Sequence, residues 1–190
     1  MTQRRFHYEQ AFEHYLRANR VPYVAVDEAR KTLLPAHDPL EAIKSFDFVV
    51  YGAGRSLLVD VKGRMFGVRA KSAMSNRRFE NWVTEEDVEG LLRWQELFGE
   101  EFQAVFVFVY CLRQQPPDAL FEELFSFGER WYVLREAPLE AYRQAMVVRS
   151  RKWRTVHVPA DTFRRISRPF NVRPPAGGES ACQGPPTAIC

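Results

Sequence analysis

Ser45 to Arg64 reads SFDFVVYGAGRSLLVDVKGR. Two runs of branched and aromatic residues, Phe46–Tyr51 and Leu57–Val61, flank a turn marked by Gly52 and Gly54, which predicts a β-hairpin or tight strand pair. Its charges are oddly placed. Asp47 opens the first strand, and Asp60 and Lys62 close the second. Side chains two apart on a strand share a face, so Asp60 and Lys62 point one way and Val61 the other. Strands disfavour Asp, and an apolar strand implies burial, where an unpaired carboxylate is costly. Two carboxylates and one ammonium at the end of a buried hairpin are most simply explained by a divalent metal.

Outward from the hairpin, Arg5–Asn19 reads as a helix with Tyr8, Phe12, Tyr15 and Leu16 on an apolar stripe and Glu9 at its border. Pro22 stops it, and Tyr23–Val26 is a short β-type run. Pro35 and Pro39 make Leu33–Ala42 a loop. Downstream, Gly63–Val83 reads as a long basic loop, and such loops tend to be functional or disordered. Thr84 with Asp87 forms a capping-box pattern at the head of a helix carrying Val88, Leu91, Leu92, Gln95 and Phe98, with Gly99 as terminator. Phe102–Leu112, FQAVFVFVYCL, is apolar almost throughout, as in a central strand covered on both faces. The order helix, three strands, helix, strand predicts an α/β fold, a small mixed sheet flanked by helices. A C-terminal α/β extension (about 118–168) follows, with strands at Trp131–Leu134 and Thr155–Val158 and a helix at Leu139–Met146. The expected organisation is one domain over 1–168, with its core at about 5–112, then a disordered Pro/Gly-rich tail over 169–190.

The net charge of +3 is unevenly spread. Lys+Arg against Asp+Glu is 5 to 1 in Gly63–Val83, 5 to 13 in Thr84–Val148, and 8 to 1 in Arg149–Arg173. Two basic blocks around an acidic one predict a surface for a polyanion. Candidate phosphate contacts are Arg69, Lys71, Arg77 and Arg78 in the first block. Arg149, Arg151, Lys152 and Arg154 supply them in RSRKWR, whose centre is Trp153. Three cysteines without CxxC or Cys/His spacing point to neither zinc nor a disulfide framework. The opening MTQRRFHYEQ has no apolar leader segment, and no stretch approaches 18 apolar residues, so a cytoplasmic protein without a membrane partner is expected.

Asp47 and Asp60 suit Mg²⁺, with Mn²⁺ as substitute and the Val61 carbonyl as a further ligand; Lys62 suits an electrostatic role. The first Asp on one strand and Asp60-Val61-Lys62 ending the next, 13 residues on, resemble the layout of the PD-(D/E)XK nuclease superfamily. Phe46-Asp47 stands where that superfamily has Pro-Asp. His7-Tyr8-Glu9-Gln10-Ala11-Phe12-Glu13 resembles the signature of the HYExAFE family. Tyr8-Glu9, the amphipathic helix and Arg20-Val21 are similar to the start of archaeal Holliday-junction resolvases. The resemblance implies a restriction-endonuclease-like core and places Glu9 at the metal site, with Glu13 one turn on as fallback. His7 and Gln95 are second-shell candidates. It also implies a metal-dependent endonuclease acting on DNA, branched or repair intermediates among the substrates and RNA an open option, and a two-fold homodimer. The competing readings are a non-catalytic nucleic-acid-binding module on the same fold and, third, a protein-interaction domain using the acidic middle segment.

Overall fold

The computed structural model describes residues 3–26, 43–66, 79–112 and 124–172. At its centre lies β5 (Phe102–Leu112), in which every residue from Ala104 to Leu112 is buried. The strand's alternation divides the core in two. Phe106, Phe108 and Tyr110 enter one hydrophobic layer; Val105, Val107, Val109 and Cys111 enter the other. Bulk on one face and β-branched side chains on the other are what a strand sandwiched between two layers requires.

β3 (Arg55–Met65) runs parallel to β5, with Asp60 opposite Phe106. β2 (Phe48–Gly52) pairs antiparallel with β3 through a two-residue turn in which Gly54 takes φ 82°, and β1 (Tyr23–Ala25) closes that edge. On the far side of β5, β7 (Arg130–Pro138) pairs antiparallel, carrying β6 (Phe125–Phe127) and β10 (Arg168–Pro169). The sheet order is β1-β2-β3-β5-β7-β10, with β6 beside β7. The crossover between the parallel strands contains α2 (Glu85–Phe98), which packs on the aromatic layer, and α1 (Gln3–Ala18) covers the other face. Helix, three strands, helix, strand is therefore the observed order, interrupted only by the two-residue β4 (Val83–Thr84). The chain has a mixed α/β architecture, a mixed sheet flanked by helices.

α1 seats Ala11, Phe12 and Leu16 against β3 and β5. Its first described turn lies so close to β3 that a Cβ at Gly63 would stand 2.1 Å from the Tyr8 ring. Gly63→Ala is expected to displace α1 and cost about 1–3 kcal/mol, read as a lowered urea midpoint. An unchanged midpoint would refute the close approach.

The extension is not an appendage, because β7 continues the main sheet. α3 (Leu139–Ala145) and β9 (Thr155–His157) lie where expected, and β7 runs four residues past Leu134. A separate sheet, β4-β9-β8, joins the strand before α2 to β8 (Val147–Ser150). β4, β6, β8, β10 and α4 (Ala160–Ile166) were not anticipated: they are short, and β8 is largely exposed, so no periodicity marks it. The tail expectation is corrected at its start. Pro169 lies in β10, Phe170 is fully buried 5.1 Å from the Phe12 ring centre, and Val172 is buried too. Two apolar anchors were hidden by the Pro/Gly-rich composition after them. Residues 173–190 lie outside the described residues, as do 67–78 with Arg69, Lys71, Arg77 and Arg78. Among the described residues, no helix is long and apolar enough to cross a membrane.

Candidate active site

Asp47 immediately precedes β2. Its N–H donates to the Val59 carbonyl at 2.9 Å and its carbonyl accepts from Val26 N–H at 2.9 Å. Phe48 also pairs with Val59, so Asp47 lies off the regular register at the end of the hairpin, beside the Val59–Val61 stretch of β3. Asp47 Oδ2 accepts the Val61 N–H at 2.6 Å, and its carboxyl lies within hydrogen-bonding reach of Asp60. Asp60 is only 4% exposed, on the α2 side of β3. Two residues on, Lys62 Nζ stands 2.7 Å from Asp60 Oδ1 and 3.1 Å from Asp87 Oδ1. Val61 points into the opposite layer, as the strand's parity requires.

Asp87 was read from sequence as a helix cap. It is one: Thr84 N–H donates to its Oδ2 at 2.8 Å, and its own N–H donates to Thr84 Oγ1 at 3.1 Å. Its other oxygen takes Lys62 and, at 2.5 Å, Lys44. Asp60, Lys62, Asp87 and Lys44 thus form one chain of alternating charge. The available signal was an Asp where a capping box more often has Glu or Gln: the shorter side chain stays at the helix end, beside β3.

The electrostatics follow from burial and crowding. Burial, then the Asp60 charge, push the Asp47 carboxyl well above the usual range; Glu9 adds to the push, while the Val61 N–H and Lys62 oppose it. Glu9 on α1 therefore lies close enough to act on Asp47. Burial also raises Asp60, against the pull of Lys62. For Lys62, burial works against the charge, but Asp60 and Asp87 outweigh it and hold the ammonium protonated. Asp87 is likewise opposed by burial, yet Lys62, Lys44 and the Thr84 N–H hold it below the ordinary carboxylate range. Carboxylates outnumber ammonium groups here, and Asp47 and Asp60 repel each other across the hairpin.

Such a set fits Mg²⁺, an ion usually held through one or two carboxylates plus waters and phosphate oxygens. Among the described residues, no group of three or more His, Cys, Asp or Glu side chains is spaced to hold a metal ion, so the fit is to a two-carboxylate site rather than a closed cage.

The structure brings together Asp47, Asp60 and Lys62, and attaches the Val61 peptide through its N–H; Glu9, on α1, reaches them only through its charge at Asp47. Glu13 lies elsewhere, bonded to the Tyr23 hydroxyl at 2.6 Å and to Arg17 at 2.7 Å. Gln95 is corrected: its Oε1 accepts the Ala104 N–H at 2.7 Å, bracing β5 just before β7 begins to pair at Val105. His7 is also engaged away from the carboxylates. Its Nδ1 lies 3.1 Å from the Tyr132 hydroxyl and its Nε2 3.4 Å from Arg130, in a cleft of about 1080 Å³ shared with Met65 and Cys111.

RSRKWR divides. Arg149 lies over the Trp82 ring at 5.0 Å, with Arg64 over the same ring at 4.1 Å. Arg151 and Lys152 are exposed on the β8–β9 turn. Arg154 is spent on α2, 2.9 Å from Glu85, with Glu86 and Glu89 at 3.7 and 3.9 Å.

No protein-family model matches the chain, and no curated protein does. Among solved structures, it is similar to Hjc, a Holliday junction resolvase from the archaeal hyperthermophile Archaeoglobus fulgidus. The TM-score is 0.46 at 12% identity, over 84% of this chain and 92% of that one.

Proposed function

We propose that this chain is a metal-dependent nuclease that hydrolyses phosphodiester bonds in DNA. The observation that carries this reading is the juxtaposition of Asp47, Asp60 and Lys62 at the end of the β2–β3 hairpin. Asp47 and Asp60 are the residues to hold Mg²⁺ or Mn²⁺, with Glu9 at the rim. A bound ion would neutralise phosphate oxygens and make a water acidic enough to attack. Lys62, kept charged by Asp60 and Asp87, would donate a hydrogen bond to the phosphate and stabilise its added negative charge. That protonation suits an electrostatic role and not a general base. Asp87 is the positioning residue, since it sets Lys62 from the far side.

A second reading, a binding module without catalysis, is favoured by one feature. Lys62 is already satisfied by two carboxylates, a closed arrangement that is stable without substrate. Cleavage of a four-way junction, a flap, a single strand and a linear duplex, with RNA counterparts, discriminates the two. Each is incubated with Mg²⁺, Mn²⁺ or EDTA. The nuclease reading expects cutting with either ion and none in EDTA. Salt-sensitive binding without cutting would replace it with the module.

A further inference from the structure

We propose that the β8–β9 turn, residues 151–154, is a stacking wedge in which Trp153 packs on an unpaired base of a nucleic acid while Arg151 and Lys152 contact the flanking phosphates. The inference rests on the nucleic-acid part of the reading above, but not on cleavage.

Trp153 is 71% exposed, the most exposed of the large apolar side chains described. Indole is normally buried, so an indole held in water at a hairpin tip contributes almost nothing to the fold. The turn is nonetheless firmly set. Glu85 N–H donates to the Arg154 carbonyl at 2.9 Å, the Arg154 guanidinium pairs with Glu85, and Val83 and Thr84 pair with Val156 and Thr155. These bonds hold Arg154 at φ 45°, a left-handed conformation that a non-glycine residue adopts at a cost. The turn is therefore an ordered projection whose base is the head of α2, and two residues into that helix Asp87 touches Lys62. A path of hydrogen bonds and ion pairs joins the base of the Trp153 turn to the candidate active site.

The chemistry around the tip selects the partner. From Val147 to Thr155 there are four cationic residues and no acidic one, and the Lys152 ammonium lies 5.5 Å from the Trp153 ring centre. Arg154 is neutralised by α2 and Arg149 lies over Trp82, which leaves the exposed Arg151 and Lys152 on the turn with the indole. Cations beside an exposed aromatic suit a polyanion that also offers flat π-faces. A continuous duplex hides those faces in its stack, so the ligand class is DNA with an unpaired base, at a gap, a bulge or a branch point.

The test measures binding of the full chain without divalent metal, so that cleavage does not enter. Wild type, Trp153→Ala and Trp153→Phe are titrated with a plain duplex and with the same duplex carrying a short single-stranded gap. Wild type is expected to prefer the gap. Trp153→Ala should weaken gap binding on the order of tenfold while changing duplex binding by less than about twofold, and Trp153→Phe should retain most of the preference. Equal affinities of wild type and Trp153→Ala for both DNAs would overturn the proposal and assign the turn to a protein contact. Parallel losses on both would reduce Trp153 to general adhesion and overturn it too. A chain that cuts DNA without this selectivity loses the wedge and keeps the nuclease; one that selects the gap and never cuts does the reverse.

Discussion

Asp60→Asn is expected to lower metal-dependent cleavage on the order of a thousandfold while leaving the fold intact. The substitution preserves shape and removes one negative charge from the carboxylate pair that would hold the ion. Lys62 keeps Asp87 as a partner at 3.1 Å, so no buried ammonium is stranded. Burial already disfavours the Asp60 charge, and a neutral amide there relieves repulsion with Asp47. The melting temperature should therefore change little, and binding to uncut DNA should persist or tighten as an anionic group leaves the site. The measurement is a cleavage time course of wild type and variant on whichever DNA is cut, with thermal melts alongside. A variant that folds and still cuts within about threefold of wild type would sink the assignment, because no residue this central to the site could be so dispensable.

What could be read from the residues, and what could not, divides along one physical line. Parity on a strand is local, so the common face of Asp60 and Lys62 and the opposite face of Val61 were available from spacing alone, as was the doubly covered β5 from its unbroken apolar run. Pairing across strands is not local. Nothing in the spacing of Lys44, Lys62 and Asp87 says that both lysines converge on Asp87; Asp87 met the rule for a helix cap and gave no reason to look further. Gln95 shows the same limit from the other side. An amide on an apolar stripe allowed either a satisfied core-edge group or a neighbour of the site, and the structure makes it the former, accepting the Ala104 N–H. Arg154 and Lys152 are indistinguishable as residues in a basic run, yet one is neutralised by α2 and the other is free to meet solvent because the turn bends between them. The C-terminal strands escaped notice because β8 exposes both of its valines and β10 is two residues long.

The extension's hold on the core yields the largest expected effect on stability. Glu136 is fully buried on β7, opposite Val107, and an Arg55 fork reaches it from β3 at 3.0 and 3.2 Å. Arg168 on β10 adds a third bond at 2.5 Å. One carboxylate thus ties together three strands of the sheet, two of them not adjacent to each other. Glu136→Ala would leave two guanidinium groups facing each other without their anion, and such deletions cost several kcal/mol when the survivors are buried. Arg55 and Arg168 retain access to water, at 25% and 57% side-chain exposure, which lowers the expected loss to about 3 kcal/mol. For a chain of this size that corresponds to a melting temperature lower by about 10 °C. Glu136→Gln, which keeps an acceptor for Arg55, should lose less than half as much. The consequence reaches the candidate site, because β10 leads directly to Phe170, whose ring meets Phe12 and whose carbonyl accepts the Tyr15 hydroxyl at 2.9 Å. Releasing β10 removes that seat from α1, the helix that carries Glu9. Glu136→Ala is therefore expected to reduce DNA cleavage at temperatures well below its melting point, while Glu136→Gln stays near wild type. A variant as stable as wild type would mean that the two arginines hold β10 without the carboxylate, and the coupling from the C-terminal strand to Glu9 would fall with it.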